Sequence, residues 1–249
     1  AVNSLIAIEK QTKVLNHIKA LLKELEALLL GVYLVKELSP KTLDAAVSIG
    51  EILSAYIISE YLKEETNAEF LDARDLIKTD DCFGNAKVEF DATNKNIREY
   101  FNEKNNTDKN NNHNNNTDNN IPLNSIQCIT GFIGATANGQ TTTLGRGGSD
   151  YTAAIFAAAL DAEELEVWKD VEGVLTADPK KVKKAFSVKT MTYDEAMELS
   201  HFGAKVIHPY TMHPVLDCKI PIRIRNTFNS EFLGTLITDK YVASDYMIK

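Results

Sequence analysis

The chain has 249 residues, a formal net charge of −8, 44% hydrophobic residues and 25% charged residues. That length can bury a full core, in one large domain or two small ones. The acidic balance argues against nucleic acid as the main ligand.

Three widely spaced cysteines, Cys82, Cys128 and Cys218, offer neither a disulfide framework nor zinc spacing. They fit a reducing compartment, each as a small buried apolar residue. No run reaches the ~20 apolar residues that span a bilayer. Residues 21–35 come nearest, interrupted by Lys23, Glu24 and Glu26. The chain starts at Ala1 with no signal-like pattern, so the lack of a targeting peptide carries no meaning.

Over residues 8–32, Val14, Leu15, Ile18, Leu21, Leu22, Leu25, Leu28 and Leu29 recur at helical spacing. They predict one long amphipathic helix, broken near Gly31, whose stripe is read as core rather than as a partner-binding face. Ser39 as cap and Pro40 at the first helical position start a second helix over 41–63. Inside it stands Ser48-Ile49-Gly50-Glu51. A glycine there costs about 1 kcal/mol against alanine, so close packing or ligand access should offset it. Glu51, among Val47, Ile52 and Ala55, either binds an amine or buried cation or is a solvated helix residue; the pattern favours neither.

Residues 68–71 and 87–90 read as strands, and 97–101 as a helical turn. From 105 to 120, ten of sixteen residues are Asn and none is apolar. Such a segment cannot bury enough surface to order itself, and it is read as a disordered surface insertion (104–120), not a domain linker. Its Asn-X-Thr sequons at Asn105 and Asn115 are attributed to chance.

Residues 129–154, ITGFIGATANGQTTTLGRGGSDYTAA, form the organising stretch. A β-rich run (126–133) leads through a turn at Ala137-Asn138-Gly139 and three threonines to a Gly-rich segment, then to a helix over 151–160. Glycines permit close backbone approach to an anion, and a helix start offers free N–H groups. Arg146 adds a fork of donors suited to carboxylate or phosphate. Asp150 is a charge able to hold a metal, an amine or a lysine. The alternative is a plain turn capped by Ser149 or Asp150.

A strand over 165–168 precedes Lys169-Asp170-Val171-Glu172-Gly173-Val174, a tight turn of mixed charge where α/β sheets bind ligands. Residues 193–202 form a helix with Thr192 as cap and Glu195 completing a capping box. Lys205, next to small residues, either reaches a phosphate or is an exposed lysine, the commoner state. His208 precedes Pro209 and is read as structural. Strands over 220–225 and 234–237 close the pattern, and the tail from 238 to 249 carries none.

These motifs together resemble the aspartate kinases of the amino acid kinase family. The matching stretches are ELSPKTLDAAVSIGEILSA (37–55), FLDARDLIKTDDCFGNAKV (70–88), GFIG (131–134), TTTLGRGGSDYTAA (141–154), WKDVEGVLTADP (168–179), ELSHFGAKVIHP (198–209) and IPIRIRNTF (220–228). Each motif alone is weak; the combination is specific.

The resemblance implies a three-layer α/β/α sandwich around a mainly parallel sheet, with the kinase domain over 1–237 and a tail or linker over 238–249. It implies ATP-dependent phosphorylation of the β-carboxylate of L-aspartate, with Mg2+, opening the route to lysine, threonine and methionine. By the resemblance, Arg146 grips an aspartate carboxylate in a pocket with Gly147, Gly148, Ser149 and Phe132. Glu51 meets the amino group, and Asp150 is catalytic, organising a lysine. Trp168, Lys169, Asp170, Val174, Leu175, Thr176, Ala177, Asp178, Pro179, Lys180 and Lys205 belong to the nucleotide side. No protein metal site, nucleic acid or membrane partner is implied. A homo-oligomer, cytoplasmic or plastid, is expected.

Several departures stand out. The family's Lys-Phe-Gly-Gly-Thr-Ser segment and its regulatory domains are not among the matched stretches, so a chain that begins inside the domain and turns over poorly is expected. Leu175 stands where many bacterial members have Tyr, and Lys180 where Arg is common, keeping charge but not the bidentate fork. The competing readings are a non-catalytic aspartate- or nucleotide-binding protein and a kinase of another small acidic acceptor.

Overall fold

A computed structural model describes residues 2–111, 125–178, 180–201 and 209–240. It divides into two compact units, Ala1–Ser149 and Asp150–Lys249.

The first unit runs α1 (Val2–Leu5), α2 (Ile8–Val35), α3 (Pro40–Leu62), β1 (Ala68–Leu71), α4 (Ala73–Leu76), β2 (Lys78–Thr79), α5 (Phe90–Asn111), β3 (Ile126–Ile129), β4 (Ile133–Thr136) and β5 (Thr141–Thr143). β1 pairs with β3 and β2 with β4, both parallel, while β4 and β5 form an antiparallel hairpin. The hairpin turns where expected, with Gly139 at φ 76°. The β-rich run is two strands rather than one: between β3 and β4 the chain breaks at Phe132, whose φ is 70°. The two halves therefore join different sheets.

Ser39 caps α3 as predicted, accepting from the Thr42 amide at 3.1 Å, and Pro40 opens the helix. α2 does not break at Gly31; it continues to Val35 and ends on Lys36 in the left-handed region. A single glycine in a long helix costs little against the propagation of its neighbours. Its apolar stripe is only partly core. Val14 is fully buried beside Val2, Ile6 and Tyr56, whereas Leu22, Leu29, Leu30, Leu34 and Val35 are exposed.

By length and composition α3 would pass as a membrane span. Its apolarity has another use, since it packs on β1, β3 and β5 and buries Asp44 against β5.

Residues 87–90 make no strand. Val88 forms a single bridge to Thr79, and the helix α5 starts at Phe90. The turn expected at 97–101 lies inside that helix, which buries Ile97 and Phe101. The helix also carries on through 105–111, so that part of the Asn-rich segment is not irregular. Once a nucleus is packed, each added residue costs little. Residues 112–120 lie outside the described residues.

The helix α6 (Gly148–Ala159) leads into the second unit. There follow β6 (Leu165–Lys169), β7 (Thr190–Thr192), α7 (Tyr193–His201), α8 (Pro209–Asp217), β8 (Ile222–Asn226) and β9 (Thr235–Thr238). The sheet order is β6-β8-β9-β7, with β6/β8 and β7/β9 parallel and β8/β9 antiparallel. The class is thus α/β with mainly parallel pairing.

One face of this sheet is core. Leu165, Val167, Ile222, Ile224 and Ile237 cluster with Ala154 of α6, Ala196 of α7 and Met212 and Val215 of α8. Strand alternation sends Glu166, Trp168, Arg223 and Arg225 to the other face. There Arg223 pairs with Glu164 at 2.7 Å and Arg225 with Glu166 at 2.9 Å. The predicted capping box closes α7: the Thr192 amide donates to Glu195 at 2.7 Å and the Glu195 amide to the Thr192 hydroxyl at 3.2 Å.

The cysteines are all free, but they are not the buried residues expected. Cys82 and Cys218 are exposed and Cys128 is half-buried. Cys82 lies in the loop after β2 and Cys218 just past α8, where no core is available.

Candidate active site

In the first unit the GFIG and GRGGSD stretches meet. A Cβ on Gly131 would lie 2.9 Å from the Ser149 Cβ and Oγ, and one on Gly148 would lie 2.8 Å from the Phe132 ring. Two glycines therefore bring the loop after β3 against the start of α6, closer than any other residue would allow. The helix begins at Gly148, so Ser149 and Asp150 occupy its first turn rather than capping it.

Next to this contact, Arg146 is exposed and makes no hydrogen bond or ion pair among the described residues. The Gly145 carbonyl accepts from the Gly148 amide at 3.1 Å, which turns the chain tightly around Arg146 and Gly147. A guanidinium left unpaired on a glycine loop is a free fork for a planar anion.

Glu51 lies on α3, half-buried, and burial raises its carboxyl pKa above the usual range. It forms no ion pair with Arg146 or with any other described residue. A charged group held out of water with no partner of its own is suited to a cationic ligand. Gly50 is exposed with open space around it, so close packing does not explain that glycine.

In the second unit, Asp150 and Lys169 form an ion pair at 2.8 Å, both largely shielded from solvent. Asp150 belongs to the first turn of α6 and Lys169 to the end of β6, where parallel sheets place ligands. Trp168, one residue earlier, projects from the opposite face of the strand. Its indole N–H donates to Glu166 at 3.0 Å, and the Arg225 guanidinium lies 4.4 Å over its ring.

The turn that follows is held by side chains the sequence did not single out. The Thr235 hydroxyl accepts from the Val174 amide at 2.8 Å and donates to the Val188 carbonyl. Glu172 accepts from Asn226 at 3.1 Å and Asn229 at 3.0 Å. Leu175 bridges Ser187, and the Thr176 amide donates to the Phe186 carbonyl at 3.0 Å. Asp178 accepts from the Lys180 amide at 2.9 Å, with both side chains exposed, as is Asp170. Ala177 is half-buried.

The anchors Thr235, Asn226 and Asn229 lie more than fifty residues from the turn they hold. No local pattern could have pointed to them. Pro179, Lys205 and His208 lie outside the described residues.

The structure thus joins Gly131 with Ser149, Phe132 with Gly148, and Asp150 with Lys169. It leaves Arg146 and Glu51 without an ion pair among the described residues. Among the described residues no three acidic, imidazole or thiol side chains converge on a metal-sized space.

Comparison with known proteins adds the family. The chain is 40% identical over 221 residues to the chloroplastic aspartokinase 1 of Arabidopsis thaliana, covering 87% of this chain and 36% of that protein. It is 36% identical over 234 residues to the bifunctional aspartokinase/homoserine dehydrogenase of Buchnera aphidicola, covering 93% of this chain and 26% of that protein. The crystal structure of Escherichia coli aspartokinase III in complex with aspartate and ADP superposes with a TM-score of 0.83 at 31% identity. That match spans 97% of this chain and 49% of the other, so the α/β sandwich fold is shared. The chain spans less than half the length of each of these relatives. The sequence pattern of the amino acid kinase family matches residues 4–226, and the chain belongs to that family.

Proposed function

We propose that the chain carries aspartate kinase chemistry: transfer of the γ-phosphoryl group of ATP to the β-carboxylate of L-aspartate, giving 4-phospho-L-aspartate and ADP. A β-carboxylate oxygen attacks the γ-phosphorus, and the bond to the bridging oxygen of ADP breaks. The observation that carries this reading is the likeness, over 97% of this chain and 49% of the other, to an aspartokinase in complex with aspartate and ADP. The chemistry of the first unit supports it. L-Aspartate has carboxylates and an ammonium, and Arg146 and Glu51 are free charges of the matching signs.

Positioning and electrostatics dominate phosphoryl transfer. Arg146 and the Gly147–Ser149 turn bind a carboxylate, with Phe132 as an apolar wall. Asp150 holds the Lys169 ammonium in one orientation toward the nucleotide phosphates. The turn 170–178 forms the nucleotide side, with Lys180 adding charge at its end. Mg2+ needs only one or two carboxylates when phosphates and water complete its shell, so the absence of a three-ligand cluster among the described residues is compatible with a nucleotide-borne ion. That ion would supply charge neutralisation on the phosphates, with Asp170 and Asp178 the exposed carboxylates of the turn.

Isothermal titration of the chain tests the reading. Saturable binding of L-aspartate, and separately of ADP with Mg2+, is expected, with L-glutamate weaker than L-aspartate. Binding of ADP without L-aspartate would favour a nucleotide-binding role, and tighter binding of another acidic acceptor would reassign the substrate.

A further inference from the structure

The strongest unassigned feature of the first unit is Asp44. It is 1% exposed, a carboxylate buried on α3. Burial of a charge is costly unless it is well bonded. Asp44 is bonded three times. One oxygen accepts from the Gly84 amide at 2.8 Å and the Thr143 amide at 2.9 Å, and the other from the Thr143 hydroxyl at 2.8 Å. These donors come from the loop after β2 and from β5, so one side chain ties three segments that are distant in sequence.

What those segments carry gives the tie its meaning. On α3, Asp44, Ser48 and Glu51 stand at i, i+4 and i+7, one stripe of the helix. Asp44 and Ser48 are buried and Glu51 is half-buried, so the stripe runs from the anchor to the free acid. Thr143 ends β5, three residues before Arg146. The Leu144 amide next to it donates to the Phe132 carbonyl at 2.9 Å, and the Thr143 carbonyl accepts from the Ala86 amide at 2.9 Å. Beside Gly84, the Asn85 side-chain oxygen sits 2.3 Å from where a Cβ on Gly145 would be. The loop of Arg146 therefore rests on the segments that Asp44 bonds.

We propose that Asp44 is a positioning residue that holds α3, and with it Glu51, in fixed register with the strand and loop that present Arg146. It touches no ligand. Its part is to set the relation between the two charges that receive the acceptor, which rests on the aspartate kinase reading above. A carboxylate is suited because the three groups that meet it are all donors, and one acceptor side chain satisfies them together.

The test uses the whole chain and two readouts. Asp44→Ala is expected to lower L-aspartate affinity at least tenfold while ADP affinity changes less than twofold. Amide hydrogen exchange in the same variant is expected to rise at residues 143–148 and to stay unchanged at Thr192 and Glu195 of the second unit. Asp44→Asn, whose oxygen still accepts from both amides while its NH2 group donates to the Thr143 hydroxyl, is expected to keep aspartate affinity within about threefold.

Thr143→Val removes one of the three bonds and leaves the packing. It should show a smaller loss of the same kind, and it serves if Asp44→Ala does not fold. Unchanged aspartate affinity in both Asp44→Ala and Thr143→Val, or equal loss of ADP affinity, overturns the proposal. If the unmodified chain binds no L-aspartate yet the exchange pattern holds, the substrate reading fails and the positioning of the Arg146 loop stands.

Discussion

Each unit has a glycine-containing turn, and the two turns are held by different means. The turn at 145–149 is fixed by backbone closeness: Gly131 against Ser149, Gly148 against Phe132, and the Gly145 carbonyl on the Gly148 amide. Its charge, Arg146, is left free. The turn at 170–178 is fixed by side chains, with Thr235 on Val174 and the two asparagines on Glu172. Lys169, the residue just before it, is already paired with Asp150. A turn built from backbone contacts can spend its one charged side chain wholly on a ligand. A turn built from side-chain bonds gains rigidity, and its cation arrives already oriented.

If that contrast is right, substitutions in the two turns should fail in different ways. The largest effect is expected at Gly234, which underlies the second turn. Its φ is 71°, and a Cβ there would lie 1.8 Å from the Ile224 carbonyl oxygen. Gly234→Ala should cost about 3 kcal/mol or more through backbone strain and clash. Urea denaturation would register it, and a loss under 1 kcal/mol would show that β8 and β9 can separate freely.

Arg146→Ala comes next. Removal of a charge-assisted bidentate contact should weaken L-aspartate binding on the order of 100-fold and leave ADP binding nearly unchanged. Equal losses for both ligands, read by titration, would break the division between the turns. Lys169→Met should do the converse on a smaller scale, with about tenfold weaker ADP binding and unaltered aspartate binding. It also leaves Asp150 without its partner, so the stability of the second unit should fall modestly.

The subtlest test is Glu51→Gln. Burial raises the Glu51 pKa above its ordinary 4.5, so ionisation is harder in the folded chain than in the unfolded one. The group's contribution to stability is present below about 4.5 and is lost as pH rises through the folded value. Glutamine removes that loss. The variant should match or slightly exceed the parent's Tm at pH 7, and the difference should shrink as pH falls toward 4.5. Aspartate affinity should drop about tenfold. A variant less stable at pH 7 would mean that Glu51 has a cationic partner in the fold.

Much of the frame was legible from residue order alone. Ser39-Pro40, the Thr192/Glu195 box and the Ala137–Gly139 turn all work through neighbours a few residues apart, and all appear as expected. The passage of the Gly-rich stretch from strand to helix was legible for the same reason. What sequence order hid was long-range. Asp44 meets Thr143 across 99 positions, and Thr235 meets Val174 across 61. The long leucine stripe of α2 also misled, because periodicity shows which face is apolar and not how much of it finds a neighbour. In the Asn-rich segment, composition favoured disorder, yet the packed helix before it carried residues 105–111 along.

Trp168 brings a spectroscopic consequence. It is the chain's single tryptophan, 43% exposed, with a guanidinium stacked on its ring and Lys169 next to it. All of the chain's indole emission therefore arises in the second unit. Its wavelength should resemble that of a solvent-facing indole, and Arg225→Ala should change its intensity by freeing the ring. The chain thus carries a native lamp in the second unit and none in the first.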